Sequence, residues 1–380
     1  MSDIMACQRD LFEIPDHVAY LNAAAYVPLP RAVRAAGEQG VLTKSYPWTM
    51  QWSDGEARAE RARGAAAKLL GVAADDVAIT GAVSYGIATA ARNLRIEPGT
   101  RVLMIAGEFP SLALVWPELA RAAGAELEVV ARPDDADWTS ALLDAIERPG
   151  APPVGLAALT PLHWSDGALI DLGRVVPALH RQGARIVIDA TQAAGVLDLD
   201  IAALKPDFLA FPTYKWVLGP YSLAFLYAAP EHQSGRPLED HGPARAPGAN
   251  ADPYVPTARR FDRGERNDPI GLPMAAAGLE QVLAWDRGAV AARLRGLTDA
   301  LADSVSDIPG IGMIDRALRA PHVLGLRFEG GLPSGLVERL AARDVHVADR
   351  QGVMRVSPHV YNDERDVARF AAALRAELAG

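Results

Sequence analysis

The chain has 380 residues, half of them hydrophobic and 22% charged, an ordinary composition for a globular enzyme with one large domain and a smaller one. Its formal charge of −9 and pI of about 5.4 argue against a nucleic-acid surface. A single cysteine, Cys7, excludes an internal disulfide framework. No apolar run approaches the roughly 20 residues that cross a bilayer. The acidic start MSDIMACQRDLFEIP lacks the apolar core of an export signal, so the chain reads as cytoplasmic.

Residues 1–45 read as an N-terminal arm with a helix, carrying YLNAAAYVPLP (Tyr20 to Pro30), whose prolines break regular structure. A helix rich in alanine and arginine is predicted from Asp54 to Leu70. The pattern then alternates. Val77–Thr80 reads as a strand, VSYGIATAARNL as a helix, Arg101–Gly107 as a strand and LVWPELARAAGA as a helix. ELEVVAR, a helix around Trp138–Glu147, the strand GLAALT, the helix Leu172–Gln182 and the strand RIVIDA follow. Short apolar strands alternating with amphipathic helices predict an α/β fold with a mostly parallel sheet covered on both faces. The segment Pro230–Pro269 is rich in Pro, Gly, Arg and Asp and reads as long loops near an active site, or as disorder. A long helix from Pro273 to Leu297 is expected to lead into a small C-terminal α+β domain. The expected boundaries are an arm over 1–45, a large domain over 46–295 and a small domain over 296–380, with the arm able to pack on the last.

The richest stretch runs from Arg185 to Tyr227. A buried strand ends in Asp189, Gln192 lies in the loop after it, and a second apolar strand ends at Tyr214-Lys215, 26 residues after Asp189. Lys215 sits between FLAFP and WVLGP, which leave little exposed surface, and a buried lysine needs a reason. A carboxylate at one strand end and a lysine at the next is the arrangement that pyridoxal 5'-phosphate (PLP) chemistry requires. The amine forms a Schiff base with the cofactor aldehyde, and the carboxylate keeps the pyridine nitrogen protonated. ITGAVSYGIATAARN places Ala82, Val83 and Ser84 at a strand-to-helix turn, where free amides and the helix dipole favour a phosphate.

These residues and their order, from Tyr20 to Tyr361, resemble the class V aminotransferase family of fold-type I PLP enzymes, which includes cysteine desulfurases, isopenicillin N epimerase and kynureninase. The resemblance implies that Lys215 carries the cofactor and shuttles the α-proton, and that Asp189 partners the pyridinium. It places Gln192 at the phenolic oxygen, and Ala82, Val83 and Ser84 on the phosphate. Phe109 aligns with the histidine that stacks on the pyridine ring in the desulfurases; a core phenylalanine is the alternative. Trp164 or His163 would line the pocket, and Thr213 or Tyr214 would reach the phosphate. Arg355, in VMRVSPHVYND, matches the Arg-x-Ser motif that grips the substrate α-carboxylate. Asn22 would lie near the substrate entrance.

The resemblance further implies a homodimer acting on a small α-amino acid; no metal, nucleic acid or membrane partner is expected. In RRFDRGERNDP the turn that crosses to the neighbour's phosphate carries Glu265 in place of threonine. So either Glu265 points away, or Arg266 and Asn267 take over that contact. No cysteine precedes Arg355 in ARDVHVADRQGVMR, so a persulfide-forming desulfurase is not expected. The expected reaction is transamination; C–S lysis and epimerisation stand as alternatives, and a catalytically inactive binding module is the alternative of another class.

Overall fold

The computed structural model describes residues 5–245 and 253–379. In chain order the strands are β1 (Ala19–Tyr20), β2 (Val77–Thr80), β3 (Arg101–Ile105), β4 (Glu126–Val130), β5 (Val154–Leu159), β6 (Arg185–Asp189), β7 (Phe208–Pro212), β8 (Ala224–Ala228), β9 (Ile311–Met313), β10 (Leu324–Phe328), β11 (Val345–His346), β12 (Ala348–Arg350) and β13 (Val353–Val356). Seven of them form a central sheet in the order β2-β8-β7-β6-β5-β3-β4. Every pair in it is parallel except the two made by β8, which runs antiparallel to β2 and β7.

Strands such as FLAFP and AFLYA are apolar at every position because both faces of the sheet are covered. Ile186, Ile188, Leu209, Phe211 and Phe225 pack into one hydrophobic cluster with Leu142, Val175, Leu179 and Leu279 from flanking helices. Val187, Phe208, Ala210 and Leu226 alternate with them and join Ile87, Ala90 and Trp116 on the other face. The helix Val83–Asn93 lies very close to that face. A Cβ on its Gly86 would come within 2.9 Å of the Ala210 Cβ.

A four-stranded antiparallel sheet, ordered β12-β13-β10-β9, forms towards the C-terminus. The arm forms a separate two-stranded sheet: β1 pairs in parallel with β11, Ala19 opposite Val345 and Tyr20 opposite His346. The Ala24 amide donates to Ser357 Oγ at 3.0 Å.

Two predicted elements differ. The helix expected over Pro273–Leu297 is two helices, Gly271–Ala284 and Arg287–Asp303. Asp286 breaks it by capping the second, accepting the Ala289 amide at 2.7 Å; residue 295 lies inside that second helix. β7 ends at Pro212, so Tyr214 and Lys215 belong to a tight loop rather than to the strand end. The loop closes by a Gly219 N–H to Thr213 carbonyl bond of 2.7 Å. A Cβ on Gly219 would lie 2.7 Å from the Thr213 Cβ, so glycine is required there. The segment 230–269 holds three short 3-10 turns, and residues 246–252 within it are outside the described part.

Candidate active site

In a parallel sheet, ligands bind beyond the carboxyl ends of the strands, where loops converge. Here β6 ends in Asp189, and the loop after β7 carries Lys215. Both face a cavity of about 350 Å³, which also takes in Gly81 to Ser84, Glu108, Phe109, Trp164, Gln192, Tyr214 and Arg355, together with Ala24 to Tyr26 of the arm.

Lys215 is 8% exposed. Burial drives its pKa down to about 7, and the positive charge of Arg355 pushes the same way against the pull of Asp189. Its Nζ lies 5.4 Å from the centre of the Tyr214 ring and 5.9 Å from that of Phe109. At neutral pH a large fraction of this amine is therefore the free base, the form that attacks an aldehyde. Asp189 is buried as well. Burial raises its pKa, against the opposing effects of Thr191, whose N–H donates to Oδ1 at 2.8 Å, and of Lys215. A cation next to this carboxylate, such as a protonated ring nitrogen, would offset the cost of its burial.

Arg355 is 1% exposed, and burial followed by the charge of Arg350 lowers its pKa to about 9. Its Nη1 donates to the Trp164 carbonyl at 2.8 Å, while its buried Nε has no hydrogen-bond partner. A guanidinium in that state calls for an anion. At another corner Ala82 is the N-cap of the helix Val83–Asn93, in extended backbone and with no side-chain cap. The first amides of the helix are open towards the cavity, as an anion site requires. Gln192 is held by two bonds: Oε1 accepts the Trp216 indole N–H at 2.7 Å, and Nε2 donates to the Ala24 carbonyl at 3.0 Å. Phe109 meets Trp164 edge-on at 5.3 Å, and the Trp164 indole N–H donates to the Gly107 carbonyl at 2.9 Å. An amine whose pKa burial lowers to about 7, a buried carboxylate, a guanidinium with no ion-pair partner and an open helix N-terminus fit the aldehyde, ring nitrogen and phosphate of PLP and the carboxylate of its amino-acid partner.

Three expected site residues lie off this wall. Thr213 turns its hydroxyl to the Pro220 and Leu223 carbonyls, the latter at 3.1 Å, where it braces the lysine loop. His163 stacks on Trp138 with centroids 5.6 Å apart; its Nδ1 meets Ser165 Oγ at 2.9 Å and its Nε2 the Ala106 carbonyl at 3.3 Å. It is a packing histidine whose pKa burial lowers, and Trp164 takes the wall position. Asn22 lines a separate cavity of about 480 Å³ with Leu336, Val337 and Arg350. None of the described residues of 230–269 reaches the main cavity. Arg266 pairs with Glu56 at 2.7 Å and Asp262 at 3.2 Å, and Asn267 Nδ2 donates to Glu56 at 3.2 Å, so both are engaged within their own chain. Glu265 has a left-handed φ of 53°.

Sequence reasoning missed Glu108, Arg350, Tyr26 and Tyr221, all on the wall. Tyr221 stacks on Tyr214 at 4.1 Å. Burial, opposed by the Phe109 amide, raises the Glu108 pKa to about 8; Oε1 accepts that amide at 2.7 Å, and Oε2 has no partner. Glu108 had no signal beyond standing next to Phe109. Arg350 had one: Gln351-Gly352 after it is a two-residue hairpin turn, which fixes the face on which Arg350 lies.

The fold is shared with known enzymes. An apo cysteine desulfurase from Thermococcus onnurineus NA1 superposes with a TM-score of 0.85 at 21% identity, covering 99% of both chains. C-DES, a cystine C-S lyase, superposes at 0.86 and 18% identity in a variant with glycine covalently linked to the PLP cofactor, over 97% of this chain and 98% of that one. In sequence, isopenicillin N epimerase of Streptomyces clavuligerus is 27% identical over 388 residues, 94% of each chain. Residues 20–370 match the family described as aminotransferase class-V. With a cavity whose groups fit PLP and a match across nearly the whole chain, the protein belongs to the class-V aminotransferase family, and its cofactor is pyridoxal 5'-phosphate.

Proposed function

We propose that this protein is an aminotransferase acting on a small α-amino acid, with Lys215 as its covalent anchor and proton carrier. The observation that carries the reading is the buried Lys215 amine, held near a pKa of about 7 on the same cavity wall as Asp189 and Arg355. Bound PLP supplies the aldehyde and an electron-withdrawing ring that stabilises negative charge at the substrate Cα.

The chain's own groups do the rest. The open amides at Val83 and Ser84 would hold the phosphate, and Asp189 would keep a proton on the ring nitrogen. Gln192, clamped by Trp216 and Ala24, offers its remaining amide N–H to the ring oxygen. Arg355 would orient the α-carboxylate, and Phe109 and Trp164 exclude water. Lys215 Nζ would take the α-proton as general base and would deliver it again during the transfer. One base is sufficient for that transfer, whereas a change of configuration at Cα needs proton delivery to both faces. Phe109 carries no proton and the Trp164 N–H is engaged by Gly107, but Glu108, Tyr26, Tyr214 and Tyr221 on the same wall do carry one, so the products decide between the two outcomes.

Cys7 is the single cysteine. It sits on the arm, with Sγ 3.5 Å from the Tyr361 carbonyl, and is not on the cavity wall. This supports chemistry that does not pass sulfur to a protein thiol. Val41, Leu42, Tyr46, Trp48 and Trp52, all exposed within one short run of chain, support a homodimer, since exposed apolar surface marks association sites.

The test is to incubate the holoenzyme with single amino acids while following the cofactor's visible absorbance and the products. Transamination predicts bleaching that an added keto acid reverses, with the original amino acid recovered in unchanged configuration. Racemised amino acid, or formation of cysteine persulfide, pyruvate and ammonia from cystine without need of a keto acid, would contradict it in favour of epimerisation or C–S lysis.

A further inference from the structure

Arg355 is not the only cation facing the substrate space. β12 and β13 form a hairpin in which Ala348 opposes Arg355 and Arg350 opposes Val353. Directly opposed residues lie on the same face of a sheet, so Arg350 and Arg355 project from one face of this hairpin on adjoining strands. Its turn is rigid: Gln351 and Gly352 have φ of 57° and 78°, the pair of left-handed residues that a tight two-residue hairpin demands. Asp349 Oδ1 accepts the Gly352 amide at 2.9 Å, and the hairpin tip touches the Gly107 carbonyl through Gln351.

The Arg350 position is thus set by backbone geometry rather than by an ion-pair partner. Its Nη1 donates to the Asp349 carbonyl at 2.8 Å. Among the described residues, no carboxylate lies within ion-pair distance of either guanidinium. Arg350 also forms the shared wall between the main cavity and the Asn22 cavity, so it stands at the edge of the space around Lys215.

Two cations on one wall repel each other, and here that repulsion is visible in the lowered pKa of Arg355 and of Lys215. Of the acids lining the same cavity, Asp189 is assigned to the ring nitrogen, and Glu108 is largely neutral at pH 7 because its pKa is about 8. The compensating negative charge must then arrive with ligands. The cofactor phosphate has its own site at the helix N-terminus, and one carboxylate satisfies Arg355.

We propose that Arg350 is a specificity-determining residue that receives a second carboxylate, making the preferred substrate a dicarboxylic α-amino acid and its keto acid. This rests on the aminotransferase reading and names its substrate class. The planar fork of the guanidinium suits a terminal carboxylate, and the rings of Tyr26, Tyr214 and Tyr221 in the same cavity suit the methylene chain between the two charges.

The test uses PLP-loaded enzyme in phosphate-free buffer and two unreactive ligands of equal length, glutarate and pentanoate, titrated while the cofactor absorbance is followed. The wild type is expected to bind glutarate at least about tenfold more tightly, the worth of one charge-assisted bidentate contact. In Arg350→Gln that ratio should collapse towards one through loss of glutarate affinity, and Arg350→Lys should recover part of it. Equal loss of both ligands in Arg350→Gln would mean that Arg350 shares the first carboxylate with Arg355, and the proposal would be wrong. A ratio near one in the wild type, with monocarboxylic amino acids turned over, would also overturn it while leaving the aminotransferase reading intact. If no amino acid of either kind altered the absorbance, both would fall.

Discussion

Lys215 is one of only four lysines in a chain that otherwise meets its need for positive charge with arginine. Lys44, Lys68 and Lys205 are exposed, and Lys215 alone is buried. Arginine stays charged at any working pH, so only a lysine can be tuned by burial into a nucleophile. Its folded pKa of about 7 lies below the ordinary lysine value, so the unfolded chain binds the extra proton between the two values, and apoprotein stability rises with pH across that window. Lys215→Met should therefore melt higher than wild-type apoprotein near pH 7, with the gap narrowing as pH rises towards the lysine range. The rate of PLP uptake by wild-type apoprotein should also climb through about pH 7; a flat profile would show that the amine is not tuned. Glu108 carries the opposite sign. Its folded pKa of about 8 is above the usual carboxyl value, so the wild type loses stability as pH rises from the ordinary carboxyl range to about 8. Glu108→Gln should match the wild type in acid and exceed it at alkaline pH, by on the order of 1–3 kcal/mol for one buried polar group. Equal melting temperatures at both ends would contradict its burial as an acid.

The chemistry is delivered by elements that place short segments at one end of a sheet. β6 and β7 are neighbours in parallel, so Asp189 and the lysine loop emerge side by side. The helix Val83–Asn93 points its N-terminus into the same space only because Gly86 lets it lie against Ala210 and Leu226. Gly86→Val should push that helix off the sheet and weaken PLP by about tenfold or more, with pyridoxal, which lacks the phosphate, much less affected. Fluorescence titration of apoprotein with both compounds would check this, and equal losses would assign the effect to general misfolding. Asp189, Gln192 and Lys215 could be singled out in the sequence because they lie within one contiguous run whose strands, RIVID and FLAFP, are buried at all but one position. The strand and helix order was legible for the same reason, since both faces of the sheet are buried. What escaped was made by distance in the chain. Arg350, Glu108 and Tyr26 come from separate segments that only the fold brings together. The choice between His163 and Trp164 stayed open because a loop histidine beside a tryptophan looks the same whether it faces a cavity or, as here, stacks on Trp138. The helix break at Asp286 was missed because an aspartate within an alanine-rich amphipathic run is also a common surface residue.

At the scale of the whole molecule, the arm ties the two ends of the chain into one site. β1 pairs with β11, the Ala24 amide bonds Ser357, and the Ala24 carbonyl holds Gln192. Removing residues 1–28 should therefore cost cofactor affinity as well as stability, because Ala24 to Tyr26 form part of the cavity wall. The readout is PLP retention on dialysis, and full retention would show that the arm is dispensable. The exposed aromatic and aliphatic side chains at Leu42, Trp48, Trp52 and Tyr85 predict a dimer in sedimentation equilibrium. Trp48→Asp with Trp52→Asp should shift it towards monomer, and a wild-type monomer at micromolar concentration would contradict that surface. No described helix is long and apolar enough to cross a membrane.

The most direct test of the account is chemical. PLP-loaded enzyme is reduced with borohydride, digested, and analysed by mass spectrometry for the fixed cofactor. The added mass is expected on the peptide containing Lys215 alone, and none in Lys215→Ala. The same mass on Lys44, Lys68 or Lys205, or retained after substitution of Lys215, would contradict the central claim.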